Sequence, residues 1–219
     1  MGLNKSTGNM YEFCTHTWNT IKGVCPHRCS YCSMKRFKQN AIRFDEKELK
    51  TNLGEGNFIF VGSSCDMWAE GIPWEWVYKT VYHCKTFNNQ YLFQTKNPVK
   101  IFDYRNSLPN NFILCTTIET NRFYEKIMCN TPNPYLRADC LAYYDYYKKF
   151  ITVEPILDFD LIEMIGLIKM ANPEQVNIGA DSGNNHLPEP NAEKVHALII
   201  ELSKFTKVTQ KKNLARLLK

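Results

Sequence analysis

The chain has 219 residues, 44% hydrophobic and 22% charged, which is enough apolar content to bury a full core and too much for a disordered polymer. No run approaches the ~18 consecutive apolar residues of a membrane span, and the opening MGLNKSTGNM lacks the apolar stretch of a secretory leader, so a cytoplasmic protein with no membrane partner is expected. The formal charge of +5 favours phosphate-bearing partners, and nine cysteines, an odd number, point to metal or redox chemistry rather than a disulfide framework.

In chain order, short apolar runs rich in Phe, Ile and Val predict strands over Glu12–Trp18, Phe58–Val61, Gln90–Gln94, Phe112–Thr117, Phe150–Glu154 and Gln175–Gly179. Between and after them, helices are expected over Asp45–Leu53, Pro73–Thr86, Asn97–Tyr104, Thr120–Cys129, Ala138–Lys148, Phe159–Met170 and Asn191–Lys204. Pro73 and Pro98 suit a first helical turn, where a missing N–H costs nothing. The tail Thr206–Lys219 carries Lys207, Lys211, Lys212, Arg216 and Lys219 without an acid, and its Leu214, Leu217 and Leu218 fall at helical spacing, so it reads as a basic C-terminal helix.

Strands alternating with helices imply a parallel sheet that carries ligands beyond the carboxyl ends of its strands. Six such units in 219 residues fall short of the ~250 that a closed eight-unit barrel needs. The expected fold is therefore α/β, a partial (βα)6 TIM-like barrel forming one domain over residues 1–219.

The segment after the first strand contains Cys25-x3-Cys29-x2-Cys32. A closed structural zinc site wants four protein ligands, and an electron-transfer [4Fe–4S] cluster wants four cysteines. Three thiolates on a four-iron cube leave one iron open to a substrate or cofactor. Zinc, completed by His27 or His16, is the alternative use of the same spacing.

This triplet, with an aromatic residue (Tyr31) before its last cysteine and placed after the first strand, resembles the radical S-adenosylmethionine (radical SAM) superfamily. The resemblance implies a partial (βα)6 barrel and a [4Fe–4S] cluster on Cys25, Cys29 and Cys32. It also implies S-adenosylmethionine chelated to the open iron and an electron donor such as flavodoxin or ferredoxin. One electron would then cleave the sulfonium to a 5′-deoxyadenosyl radical, which takes a hydrogen atom from substrate. Tyr31 would place its ring or backbone near the adenine, loop packing being its plainer use.

The strand ends supply further candidates. Gly62-Ser63-Ser64-Cys65-Asp66 follows the second strand, where the superfamily receives the methionyl ammonium; Ser63, Ser64 and Asp66 are the candidates, with a helix cap by Ser64 or Asp66 as the alternative. Lys96, at the end of the third strand, is a point charge suited to the methionyl carboxylate. Thr117 and Glu119, at the end of the fourth, suit ribose hydroxyls, or else solvation and capping. The order of these strand ends is similar to that of spore photoproduct lyase, whose relatives place a hydrogen-donor cysteine where this chain has Ser63; Cys65, two residues on, is the candidate for that role.

Glu154, followed by Pro155 at the end of the fifth strand, is expected to face substrate or ribose, with an internal salt bridge as the alternative. Asp181 and Ser182, after the sixth, would close over the cofactor or form an ordinary turn. Together these segments look like a phage-associated group of short radical SAM proteins. Lys35, Arg36, Lys38 and Arg43 add charge beside the cluster loop, so a nucleic acid or nucleotide substrate is expected of a monomeric enzyme. A reading from another class is a non-catalytic zinc or iron–sulfur module that recognises nucleic acid or a protein.

Overall fold

The apolar runs of the sequence lie side by side in one sheet in a computed structural model, which describes residues 2–7 and 10–219. The strands in chain order are β1 (Asn4–Lys5), β2 (His16–Trp18), β3 (Ile21–Lys22), β4 (Arg43–Phe44), β5 (Phe58–Val61), β6 (Gln90–Thr95), β7 (Phe112–Thr117), β8 (Lys148–Val153), β9 (Gln175–Ile178) and β10 (Lys207–Gln210). The main sheet runs β1-β2-β5-β6-β7-β8-β9-β10, parallel from β2 to β10, with β1 antiparallel on the outer edge of β2. Strands β3 and β4 form a separate antiparallel ribbon.

The connecting segments carry α1 (Trp74–Lys85), α2 (Glu125–Met128), α3 (Pro134–Tyr143), α4 (Leu161–Ala171) and α5 (Ala192–Leu202). Side chains alternate across each strand, so the sheet has two different faces. One carries Ile59, Val61, Tyr91, Phe93, Leu114, Ile151 and Val176, buried against Val77 and Val81 of α1, Leu141 of α3, Met164 and Leu167 of α4, and Leu198 of α5. Each such side chain contributes about 1.5–3 kcal/mol by leaving water. The other face carries Phe60, Leu92, Ile113, Cys115 and Phe150, covered by Tyr11 and Cys14 from the segment before β2.

The structure corrects several expected elements. The first strand begins only at His16, because the preceding residues leave the sheet edge to cover its face. Expected helices 45–53 and 97–104 are 3-10 turns at Glu46–Lys50 and Pro98–Tyr104, and 120–129 shrinks to α2. The helix expected from Ala138 starts at Pro134, where the Asn133 side chain accepts the Tyr135 N–H at 2.8 Å, and it stops at Tyr143 because Lys148 already begins β8. The tail is not a single helix over 206–219. Val208 and Thr209, β-branched residues, lie in β10, a seventh parallel strand in register with Gln175–Ile178, and a 3-10 turn follows at Lys212–Leu217. Among the described residues no helix is long and apolar enough to cross a membrane.

Candidate active site

The carboxyl ends of the parallel strands bring the cysteine loop together with the residues that follow β5, β6, β7, β8 and β9. The loop is folded by its own turns, Arg28 N–H donating to Cys25 O at 3.2 Å and Cys32 N–H to Cys29 O at 3.3 Å, with Arg28 in the left-handed region at φ 54°. It is tied to the α2 region through Ser30 N–H to Ile127 O (2.9 Å) and Asn130 N–H to His27 O (3.0 Å). Cys29 is buried, while Cys25 and Cys32 are half-buried.

The structure adds a fourth thiol beside this loop. Cys65, buried after β5, turns its thiol toward Asp66 O at 4.0 Å; its proximity lowers the Cys25 pKa against the opposing effect of burial, while Cys65 itself is driven up by Cys25 and by burial. Burial pushes Cys29 up to about 11, opposed by the charge of Lys96. Three thiols on one short loop, a fourth beside Cys25 and the ammonium of Lys96 beside Cys29 are thus gathered at this end of the sheet.

Among the described residues no three His, Cys, Asp or Glu side chains converge on a single-ion position. The histidines that a zinc ion would recruit are engaged elsewhere. His27 donates from Nε2 to Asp66 Oδ2 at 2.9 Å and from Nδ1 to Asn130 O at 3.3 Å, and His16 lies in β2 with its Nδ1 2.9 Å from Thr15 Oγ1. Burial disfavours charge on His27, but the hydrogen bond and charge of Asp66 outweigh it and raise its pKa.

Asp66 is the hub of the loop after β5. Besides His27, its Oδ2 accepts Thr95 Oγ1–H at 2.9 Å and Lys96 N–H at 2.8 Å, and its Oδ1 accepts Trp68 N–H at 3.0 Å. These donors, His27 first, hold its pKa low against burial. The carboxylate thus joins the cysteine loop to the ends of β5 and β6. Ser63 and Ser64 are positioned instead by Asn19, whose Oδ1 accepts Ser64 N–H at 2.9 Å and whose Nδ2 donates to Ser63 Oγ at 3.2 Å. The Ser64 hydroxyl is buried with no partner among the described residues. Gly62, at φ 79°, makes the turn that presents both serines.

The ends of β6 and β7 form a second, buried group. Glu119 is fully buried and accepts Arg137 Nη1 at 2.7 Å; Tyr31 donates its hydroxyl to the other oxygen, and Lys96 Nζ stands 3.9 Å away. Burial opposes ionisation of Glu119, but the charges of Arg137 and Lys96 prevail and keep its pKa below the ordinary value. Lys96 also lies over the Tyr31 ring, 5.4 Å from its centre, and the negative charges of Cys29 and Glu119 raise its pKa against burial. Thr117 Oγ1 accepts Gln94 Nε2 at 3.1 Å on the face away from the helices.

On the far side, Glu154 accepts Lys211 Nζ at 2.6 Å and Asn213 Nδ2 at 2.9 Å, so the tail supplies the partners of the β8 carboxylate. Gly179 allows this approach: a Cβ there would lie 2.6 Å from Glu154 Oε1. Asp181 folds its own loop, accepting Gly183 N–H at 2.9 Å and Asn185 Nδ2 at 2.6 Å. The structure therefore gathers Tyr31, Lys96 and Glu119 with Cys29, and Asp66 and Cys65 with Cys25, and leaves Glu154 and Asp181 in a separate group with the tail. Sequence reasoning missed Arg137, Asn19 and Asn213, and placed Lys211 only in a basic tail. Asn133-Pro134, the same signal that marks Asn97-Pro98, could have placed Arg137 in a helix, whereas nothing local marks the others.

With this geometry in place, comparison with solved structures identifies the architecture. A cysteine variant of spore photoproduct lyase aligns with 94% of this chain and 78% of its own at 11% identity, TM-score 0.65. A variant with bound AdoMet and dinucleoside spore photoproduct aligns with 95% of this chain and 80% of its own at 10% identity, TM-score 0.66. The chain shares the fold of spore photoproduct lyase. The lyase complexed with dinucleoside spore photoproduct also aligns, over 94% of this chain and 78% of its own, at 11% identity and TM-score 0.66. No protein-family model and no curated protein matches the sequence.

Proposed function

We propose that this chain is a radical S-adenosylmethionine enzyme on an incomplete (βα)6 barrel, acting on a nucleic acid or nucleotide. Cys25, Cys29 and Cys32 would hold three irons of a [4Fe–4S] cluster, and S-adenosylmethionine would take the fourth. The observation that carries this reading is the position of the cysteine loop at the carboxyl edge of a parallel sheet with the lyase fold, beside a buried ionic group at the ends of β6 and β7. When bound, the cluster and S-adenosylmethionine supply a 5′-deoxyadenosyl radical through one-electron cleavage of the sulfonium.

The chain's own residues orient and shield that chemistry. Lys96, whose ammonium is held over Tyr31 near Cys29, opposes the methionyl carboxylate. Ser63 and the unpartnered Ser64 hydroxyl, set by Asn19, face the methionyl ammonium. Tyr31, anchored on Glu119, borders the adenine, and Thr117 serves the ribose with Glu119 behind it. Cys65, next to Cys25, favours the thiolate there. Glu154 would face the substrate or ribose, and Asp181 would close over the cofactor.

A substrate bearing phosphate or bases is supported by the net charge and by the exposed Lys35, Arg36, Lys38 and Arg43 beside the loop, and solved structures of the lyase hold a dinucleoside. Flavodoxin or ferredoxin is the proposed electron donor. The test is anaerobic reconstitution followed by iron and sulfide analysis, electron paramagnetic resonance with and without S-adenosylmethionine, and assay for 5′-deoxyadenosine under strong reductant. About four irons per chain, a spectrum altered by S-adenosylmethionine and 5′-deoxyadenosine formation are expected. One tightly held zinc and no iron would overturn the reading.

A further inference from the structure

The sheet face turned away from the helices bears a second concave site, where the strands begin. A cavity of about 440 Å³ opens there, bounded by the first residues of β5, β6, β8, β9 and β10 and by the segment that precedes β2. It is within the range of roughly 300–1,000 Å³ typical of small-molecule sites. The cysteines, Lys96 and Glu119 take no part in it, though Lys211 of its lining also pairs with Glu154.

Three observations define what would fit. Asn177, on β9, is 1% exposed; its Oδ1 accepts Gln175 Nε2 at 2.7 Å, but its Nδ2 is buried with no acceptor among the described residues. Leaving a buried donor unmet costs about 1–3 kcal/mol, so an acceptor on a ligand would be favoured at that atom. Next to it is an aromatic wall, in which Phe13 meets Phe58 with ring centres 5.1 Å apart and Phe150 at 5.6 Å. At the rim, Lys148 and Lys207 are exposed and make no ion pair among the described residues, while Lys212 faces Glu12 at 3.7 Å with both side chains more than 80% exposed. Of the four lysines in the lining, Lys211 is paired with Glu154 and Lys212 with Glu12, which leaves Lys148 and Lys207 against Glu174, an excess of one positive charge.

Carboxamides match the hydrogen-bonding edges of nucleobases, aromatic side chains pack against their faces, and lysine ammonium groups hold phosphate. We propose that this cavity binds a nucleoside monophosphate, the base between the phenylalanine wall and Asn177 and the phosphate at Lys148 and Lys207. The same unit occurs free and as the 5′-phosphorylated end of a strand.

Calorimetric titration of the reconstituted 219-residue chain, with saturating S-adenosylmethionine present, tests this with adenosine and uridine 5′-monophosphates, the two nucleosides and a 5′-phosphorylated hexanucleotide. One monophosphate per chain is expected, with the nucleosides about tenfold weaker. Asn177→Asp, which exchanges the unmet donor for an acceptor, should weaken binding about tenfold. Lys148→Ala with Lys207→Ala should weaken the monophosphate by at least that factor and leave the nucleosides unchanged. Binding of the hexanucleotide alone, with the same response to the variants, would assign the site to a strand end. The proposal fails if neither form binds at millimolar concentration, or if binding ignores both sets of substitutions. Melting curves check the fold of each variant, and the exposed lysine pair decides the matter if Asn177→Asp is destabilised.

Discussion

Replacing Arg137 by Met keeps the volume and helix propensity of the position but removes a cation that no water reaches. In the native chain its guanidinium donates to Glu119 Oε2 at 2.7 Å, Thr117 O at 2.8 Å, Pro132 O at 2.7 Å and Thr131 Oγ1 at 2.8 Å. Both members of the ion pair are fully buried, so the substitution leaves a carboxylate in a dry site with only Tyr31 and the more distant Lys96 for support. Breaking a buried pair from one side costs about 3–5 kcal/mol. At about 2–4 °C per kcal/mol for a chain of this size, the melting temperature should fall by roughly 6–20 °C.

The loss should depend on pH. Glu119 is held below its ordinary value of 4.5, so the native pair contributes stability that is present above that value and lost as pH falls through the depressed pKa. The difference between wild type and Arg137→Met should therefore narrow in acid. Glu119→Gln combined with Arg137→Met should be less damaging than the sum of the single changes, because no unpaired charge then remains. Thermal melts by circular dichroism across pH measure all of this. A loss below about 1 kcal/mol at neutral pH would refute the assignment of Glu119–Arg137 as a buried charge pair.

Gly179→Ala would force Glu154 away from its present position, since the new methyl would stand 2.6 Å from Oε1; a cost of about 1–3 kcal/mol is expected in thermal melts, and no loss would show that Glu154 has room to move. Cys29→Ala should lower reconstituted iron well below that of wild type by colorimetric assay, whereas Cys140→Ala, half-buried on α3 and away from the loop, should leave it unchanged. Arg122 and Lys194 depress the pKa of Asp158 against burial, and Arg122 depresses that of Asp160 to about 2. Stability from this group is present above the ordinary carboxylate value of 3.8 and lost as pH falls toward 2, so Arg122→Met should reduce the melting temperature at neutral pH and have little effect near pH 2. Asn19→Ala should free the loop of Ser63 and Ser64 and raise the KM for S-adenosylmethionine more than it lowers kcat.

The central strands were legible because a run such as Phe112–Thr117 has one stable use, buried on both faces of a parallel sheet, whatever lies elsewhere in the chain. The three-cysteine loop was legible for a similar reason: eight residues contain the whole pattern. Helix ends depended on caps, and the overlooked Asn133-Pro134 moved α3 by four residues. The tail misled because its three leucines at helical spacing fall in and after the 3-10 turn, while Lys207–Gln210, which contains none of them, becomes a strand by pairing with β9.

Local sequence determined the order of strands, their parallel pairing and the spacing of three thiols, since these depend on short-range periodicity and chain connectivity. Tertiary structure alone decided the use of each polar group. Glu119 meets Arg137 across 18 residues, His27 meets Asp66 across 39, and Glu154 meets Lys211 across 57. The reason is electrostatic: a buried charge must find a counter-charge or donor wherever the fold brings one within about 3 Å, and no local pattern encodes which distant residue that will be.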